Sequence, residues 1–282
     1  MILMAVQKIL QEKKLVDVPI TVVSKVGAGG VLGWTYLNQH PGDGRYISIS
    51  PINLLTEHIA GASPITYTDV TPIAQLFNEY VAFSVRSDSS LKSGRDLAQQ
   101  LRGNPASASF SVAAALGGAN HIATALTMKA AGVDIRKLKF VVFNAGAQSL
   151  TAVMGGHVDV AVTPVSAAVS QLQTGRTRVI ALSSPQRPQG PASVVPTWKE
   201  QGVDVVFSSF RGVIGPKAMT PDQIAYWEDV LTKVVQSEEW KRDLEKNYWE
   251  SDFLTSVETT KYLKAEYERY KAVLTDLGLA KR

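Results

Sequence analysis

The 282-residue chain is 45% hydrophobic and 19% charged, a balance that supports a packed core and excludes a disordered or fibrous polypeptide. It has no cysteine, which excludes disulfides, iron–sulfur clusters, thiolate zinc sites and thiol nucleophiles. The net charge of +4 leans mildly toward anionic partners without the polybasic signature of a nucleic-acid binder; twelve basic and five acidic residues give +7 over residues 86–202, leaving −3 for the remainder. Because these basic residues are scattered, the segment reads either as a solvated face or as one that attracts an anion.

At the start, Ile2, Leu3, Val6, Ile9 and Leu10 recur at helical spacing and predict a helix over 1–13. This stretch lacks the basic start, apolar core and small-residue cleavage site of a secretory leader. The longest apolar run, residues 158–172, is interrupted by Asp159, Pro164 and Ser166 and is shorter than the roughly 18 residues a bilayer requires. Residues 19–26 (PITVVSKV) are rich in β-branched residues and predict a strand, followed by the turn Gly27-Ala28-Gly29-Gly30 and a helix over VLGWTYLNQ. Strands are predicted at 45–50 and 80–86, then a short helix at 96–102. From there SASFSV, ANHIATALTMKAAG, LKFVVF, AQSLTAVMGG, VDVAVT, SAAVSQLQTG and RVIALS alternate strand with helix, the pattern of a parallel sheet covered by helices on both faces. A proline-rich loop at 185–196 leads to a short helix at 197–201 and a strand at 203–208. Thr220 as N-cap, Pro221 at the first position and Gln223 closing a capping box start a helix whose apolar stripe is Ile224, Trp227, Leu231, Val234 and Val235. A last helix begins near Val257 and ends before Gly278.

Few of these residues can support chemistry. No G-x-S-x-G elbow occurs, and the four histidines, His40, His58, His121 and His157, are separated in sequence without the i,i+4 pairing of a zinc helix. They read as surface or structural residues, and no metal or cofactor is expected. The glycine turn at 27–30 would suit a dinucleotide, but the next strand region, Ile49-Ser50-Pro51-Ile52-Asn53, lacks the acid that would hold a ribose, so a plain tight turn is the reading. More informative is a recurrence in the basic segment, where strands run into small polar residues at helix starts. These are Ala115-Leu116-Gly117-Gly118-Ala119-Asn120-His121, Asn144-Ala145-Gly146-Ala147-Gln148 and Thr163-Pro164-Val165-Ser166. In a parallel sheet such turns share one carboxyl edge, where helix N-termini offer N–H groups and positive dipole ends to an anion. Three such turns with few ionisable groups favour binding over catalysis, so the chain is not expected to be an enzyme.

The motifs 19–33 (PITVVSKVGAGGVLG) with 34–44, 117–121 (GGANH), Phe143-Asn144-Ala145-Gly146-Ala147, Met154-Gly155-Gly156-His157-Val158-Asp159, 196–202 (PTWKEQG) and Arg211-Gly212 resemble, in order and spacing, the substrate-binding proteins of tripartite tricarboxylate transporters, the Bug family of solute receptors. The resemblance implies an α/β, type II periplasmic binding-protein fold with two α/β lobes and a ligand cleft at the hinge. Lobe 1 would be 1–82 plus 209–282, and lobe 2 would be 83–208. It further implies a periplasmic monomer that closes on a small organic carboxylate, a di- or tricarboxylate or aromatic acid, and presents it to the large and small permease subunits. The family's ligand loops fall on Gly117, Gly118, Asn120 and His121, on Asn144, Gly146 and Ala147, on Thr163, and in the first lobe on Ser50 and Asn53, with Arg211 beside a hinge crossing. Two loops depart from the family pattern: Ala115-Leu116-Gly117-Gly118 stands where G-x-G-S is frequent, and Asn144-Ala145 where Lys-Gly is frequent. Family members also begin with a strand and a Pro-x-x-Gly-Gly-x-x-Asp loop ahead of the helix that opens this chain, so the start is expected to be trimmed or mis-assigned rather than a lost central strand. Rival readings are a cytoplasmic two-lobed ligand-sensing domain and, less well supported, an enzyme.

Overall fold

The computed structural model describes residues 2–25, 27–113, 116–143, 146–172 and 174–281. In chain order the elements are α1 (Ile2–Glu12), α2 (Val31–Leu37), β1 (Ser48–Pro51), α3 (Asn53–Ile59), β2 (Thr71–Arg86), α4 (Gly94–Gly103), β3 (Ser109–Ala113), α5 (Ala119–Ala130) and β4 (Lys139–Phe143). They continue with α6 (Gly146–Met154), β5 (Val160–Pro164), α7 (Val165–Leu172), β6 (Thr177–Leu182), β7 (Ser208–Gly215), α8 (Pro221–Gln236), α9 (Glu238–Asn247), β8 (Trp249–Leu254) and α10 (Ser256–Asp276). The chain divides into two compact units, the first of residues 1–78 and 210–270 and the second of 79–209 and 271–282.

In unit 1, β1 runs antiparallel to β7, with Ser50 opposite Gly212 and Pro51 opposite Arg211. β7 in turn neighbours β2, which also pairs with β8. One apolar cluster joins Val6, Ile9 and Leu10 of α1 to Phe77 of β2, Trp227 and Leu231 of α8, Trp240 of α9 and Trp249 of β8. Phe77 stacks on Trp249 with ring centroids 4.2 Å apart, and large buried rings of this kind dominate core energetics. The Thr220–Gln223 capping box forms as its sequence spacing predicts, with Pro221 in the first turn of α8.

Two expectations fail here. Residues 19–25 form no strand; Val18 and Val23 are 63% and 52% exposed. β-branched composition favours a pleated conformation only where a neighbouring strand completes the ladder, and no described strand pairs with this segment. The strand expected at 203–208 is also absent; 203–207 are irregular, and the strand starts at Ser208 as β7.

Unit 2 is built on β4, β3 and β5, which are parallel to one another, β3 in the middle. The expectation of a wholly parallel sheet is corrected beside them: β2 runs antiparallel to both β5 and β6. The chain enters unit 2 through β2 itself, not through a crossover helix, and so its direction is fixed by unit 1. Trp198, fully buried, meets Phe83 of β2 edge to face at 5.0 Å. A second cluster, Leu150, Ala152, Val153, Val158 and Ala161, seats α6 on β5.

Candidate functional site

Because β3, β4 and β5 are parallel, their carboxyl ends lie along one edge of unit 2, and each leads within a few residues into a helix, α5, α6 and α7. Helix starts carry N–H groups with no intrahelical partner and the positive end of the peptide dipoles. α5 opens with Gly118 as N-cap, and no side chain caps it. α6 opens with Gly146, against whose missing side chain the Thr163 methyl lies; a Cβ there would sit 3.9 Å from Thr163 Cγ2. Ala147, next along, is exposed. Thr163 is fully buried near the end of β5, opposite Ala82 of β2, and its Oγ1 has no hydrogen-bond partner. A buried hydroxyl without a partner costs about 1–3 kcal/mol. Asn144 lies outside the described residues.

The loop ahead of α5 is held from inside. Gly117 has φ +86°, and its N–H donates to His121 Nδ1 at 2.9 Å. His121 is 2% exposed and meets the ring of Phe140 on β4 edge to face at 4.3 Å. Burial depresses its pKa from 6.5 to about 4. The ring is therefore neutral near pH 7, with Nδ1 unprotonated and the proton on Nε2. The amide of Gly117 and Nδ1 of His121 are thus engaged with each other. Asn120, 9% exposed, follows Gly118 in the first turn, its carbonyl accepting from Thr124 Oγ1 at 2.7 Å.

Two hydroxyls near this edge escaped sequence reasoning. Ser149 in the first turn of α6 and Ser111 on β3 are fully buried, and their Oγ atoms have no partner. Single serines in apolar stretches carry no periodic signal that would single them out.

In unit 1 the register of β1 and β7 sets Ser50 opposite Gly212 and Arg211 opposite Pro51, which puts the Ser50 and Arg211 side chains on opposite faces of the strand pair. Ser50 is 2% exposed with an unpartnered Oγ; Arg211 Nη1 donates to the carbonyl of Phe210 at 3.0 Å. Asn53 begins α3 and is tied to the same helix, its Nδ2 donating to Glu57 Oε1 at 3.4 Å. The turn at 27–30 is a tight one, with four successive positive φ values of 141°, 45°, 64° and 110°. Gly29 backs onto Glu57 so closely that a Cβ would collide with its carboxylate. Among the described residues no helix is long and apolar enough to cross a membrane.

Comparison with known proteins agrees with this architecture. The family described as "Tripartite tricarboxylate transporter family receptor" matches residues 4–279. A UPF0065 protein from the gbd 5' region of Cupriavidus necator is 25% identical over 272 residues, covering 95% of this chain and 80% of that relative. Among solved structures, an R. palustris protein with adipate superposes with a TM-score of 0.83 at 21% identity, covering 98% of this chain and 91% of the other. MatC from Rhodopseudomonas palustris with bound malate gives 0.76 at 19% identity, covering 96% and 92%. At these identities the superpositions establish a shared fold.

Proposed function

The chain belongs to the tripartite tricarboxylate transporter receptor family, and from that premise we propose that it captures a small organic carboxylate in the periplasm and hands it, as a monomer, to the permease subunits of such a transporter. The observation that carries this reading is Thr163, a buried hydroxyl without a partner beside the open start of α6. The carboxylate would accept from Thr163 Oγ1, from N–H groups at the starts of α5 and α6, at Gly118, Asn120, Gly146 and Ala147, and from Asn144. Charge on the ligand would be matched by peptide dipoles rather than by a fixed cation. Ser50, Asn53 and Arg211 of unit 1 are assigned to recognition as well. Adipate and malate, the ligands of two proteins of the same fold, define the chemistry to try first. Nothing in this reading needs a nucleophile or a general base, and the protein performs no reaction.

Calorimetric titration with adipate, malate, a tricarboxylate and an aromatic acid tests the proposal. One-to-one saturable binding of at least one is expected, weakened by Thr163→Val. Binding that is absent throughout, or indifferent to Thr163→Val, would overturn it.

A further inference from the structure

We infer that His121 is a positioning residue whose Nδ1 holds the Gly117 amide and thereby sets the direction of the free N–H groups at the start of α5; this rests on the carboxylate reading above. Three observations carry it. His121 is the third residue of α5, and its side chain reaches back four residues to Gly117 N at 2.9 Å. Unlike a capping box, whose third-position side chain reaches the N-cap amide, the imidazole bonds the amide one residue earlier, ahead of the N-cap Gly118. The ring cannot drift, because it is buried and braced edge to face by Phe140 at 4.3 Å. Gly117 sits at φ +86°, where glycine's conformational freedom gives the loop no rigidity of its own, so an external tether is what defines it.

The consequences run outward from the ring. Gly118, the residue after the tethered amide, is the N-cap of α5, so holding the 116–117 peptide anchors the loop immediately ahead of the helix. Phe140 belongs to β4, the strand that feeds α6. The same imidazole therefore ties the loop after β3 to the strand before the second helix start. This role needs no hydrogen bond from the ring to the ligand. Its effect on affinity comes through preorganisation, which lowers the ordering cost of binding.

Two substitutions separate this role from packing and from direct contact. In His121→Asn the amide oxygen can take the place of Nδ1 and accept from Gly117. In His121→Leu the volume is kept and the acceptor is lost. Amide hydrogen exchange by NMR should show Gly117 protected in the wild type and in H121N. In H121L it should exchange at least about tenfold faster, in line with one lost hydrogen bond, while amides of β3 and β5 stay unchanged. Nitrogen-15 shifts of the wild-type ring should report an unprotonated Nδ1 and a protonated Nε2. The Kd for adipate should rise about tenfold in H121L and be restored to within about twofold in H121N. Unchanged Gly117 exchange in H121L, a proton on Nδ1, or failure of H121N to restore binding would each overturn the inference. If the wild type binds neither adipate nor malate, the ligand reading fails while exchange and tautomer still decide the role of His121.

Discussion

Lowering the pH should destabilise this protein through one identifiable residue. His121 is buried and neutral, with its pKa depressed from 6.5 to about 4 by the loss of water around the ring, and its Nδ1 accepts from Gly117, a bond that protonation at Nδ1 abolishes. Between pH 6.5 and 4 the unfolded chain holds a proton on this residue that the folded protein refuses, so stability falls as pH falls through that window. At pH 5 the loss amounts to about 2 kcal/mol, and well below pH 4 it approaches roughly 3 kcal/mol. The assay is urea unfolding at pH 7 and pH 5 on the wild type and on His121→Asn. Other groups titrate in both proteins, so the quantity of interest is the difference between their pH dependences, expected to be about 2 kcal/mol smaller in the variant. Equal pH dependence, or a His121 that titrates near 6.5 by NMR in the folded protein, would refute the reasoning.

Three further outcomes follow from local geometry. Thr163→Val removes a buried, unpartnered hydroxyl and should leave the ligand-free protein as stable or up to about 1 kcal/mol more stable in urea, while raising the Kd for adipate about tenfold. Ala28→Gly relieves an alanine held at φ 45°, a left-handed conformation that costs about 1–2 kcal/mol. After the entropy of the added glycine, a net gain of about 0.5–1 kcal/mol should appear as a higher melting temperature. Gly212→Ala would place a methyl 2.8 Å from the Ala74 carbonyl of the adjoining strand, and unfolding should show a loss of about 1–3 kcal/mol.

Where local chemistry is self-sufficient, the fold is legible in the sequence. Thr220, Pro221 and Gln223 announce α8 because a capping box is complete within four residues. The strand-helix alternation of unit 2 is legible for the same reason, each element carrying its own period. β2 is harder. Its last seven residues read as a strand, but Gln75 and Asn78 break the apolar pattern of the first nine. Both are buried because their side-chain amides donate to Asp252 Oδ2, each at 2.6 Å, and a partner some 175 positions away leaves no mark in the local sequence. α9 escapes because EEWKRDLEKN buries only Trp240 and Leu244, too few for a stripe. The segment at 19–25 shows the reverse error, strand composition without a strand to pair with.

The candidate site divides in the same way. Gly117, Gly146 and Thr163 stand out in sequence because they sit where strands turn into helices, and the three parallel strands gather those turns at one edge. What sequence does not carry is how each residue is spent. The His121 ring is bonded to Gly117 and the Asn53 amide lies on Glu57, and neither local contact is marked in the sequence.

The central claim is that helix starts and the Thr163 hydroxyl of unit 2 hold a carboxylate. Calorimetric titration of adipate into the wild type and into Thr163→Val at pH 7 tests it most directly. One-to-one binding to the wild type is expected, with a Kd about tenfold higher for the variant, whose stability is unimpaired. Equal affinity for the two proteins would contradict it.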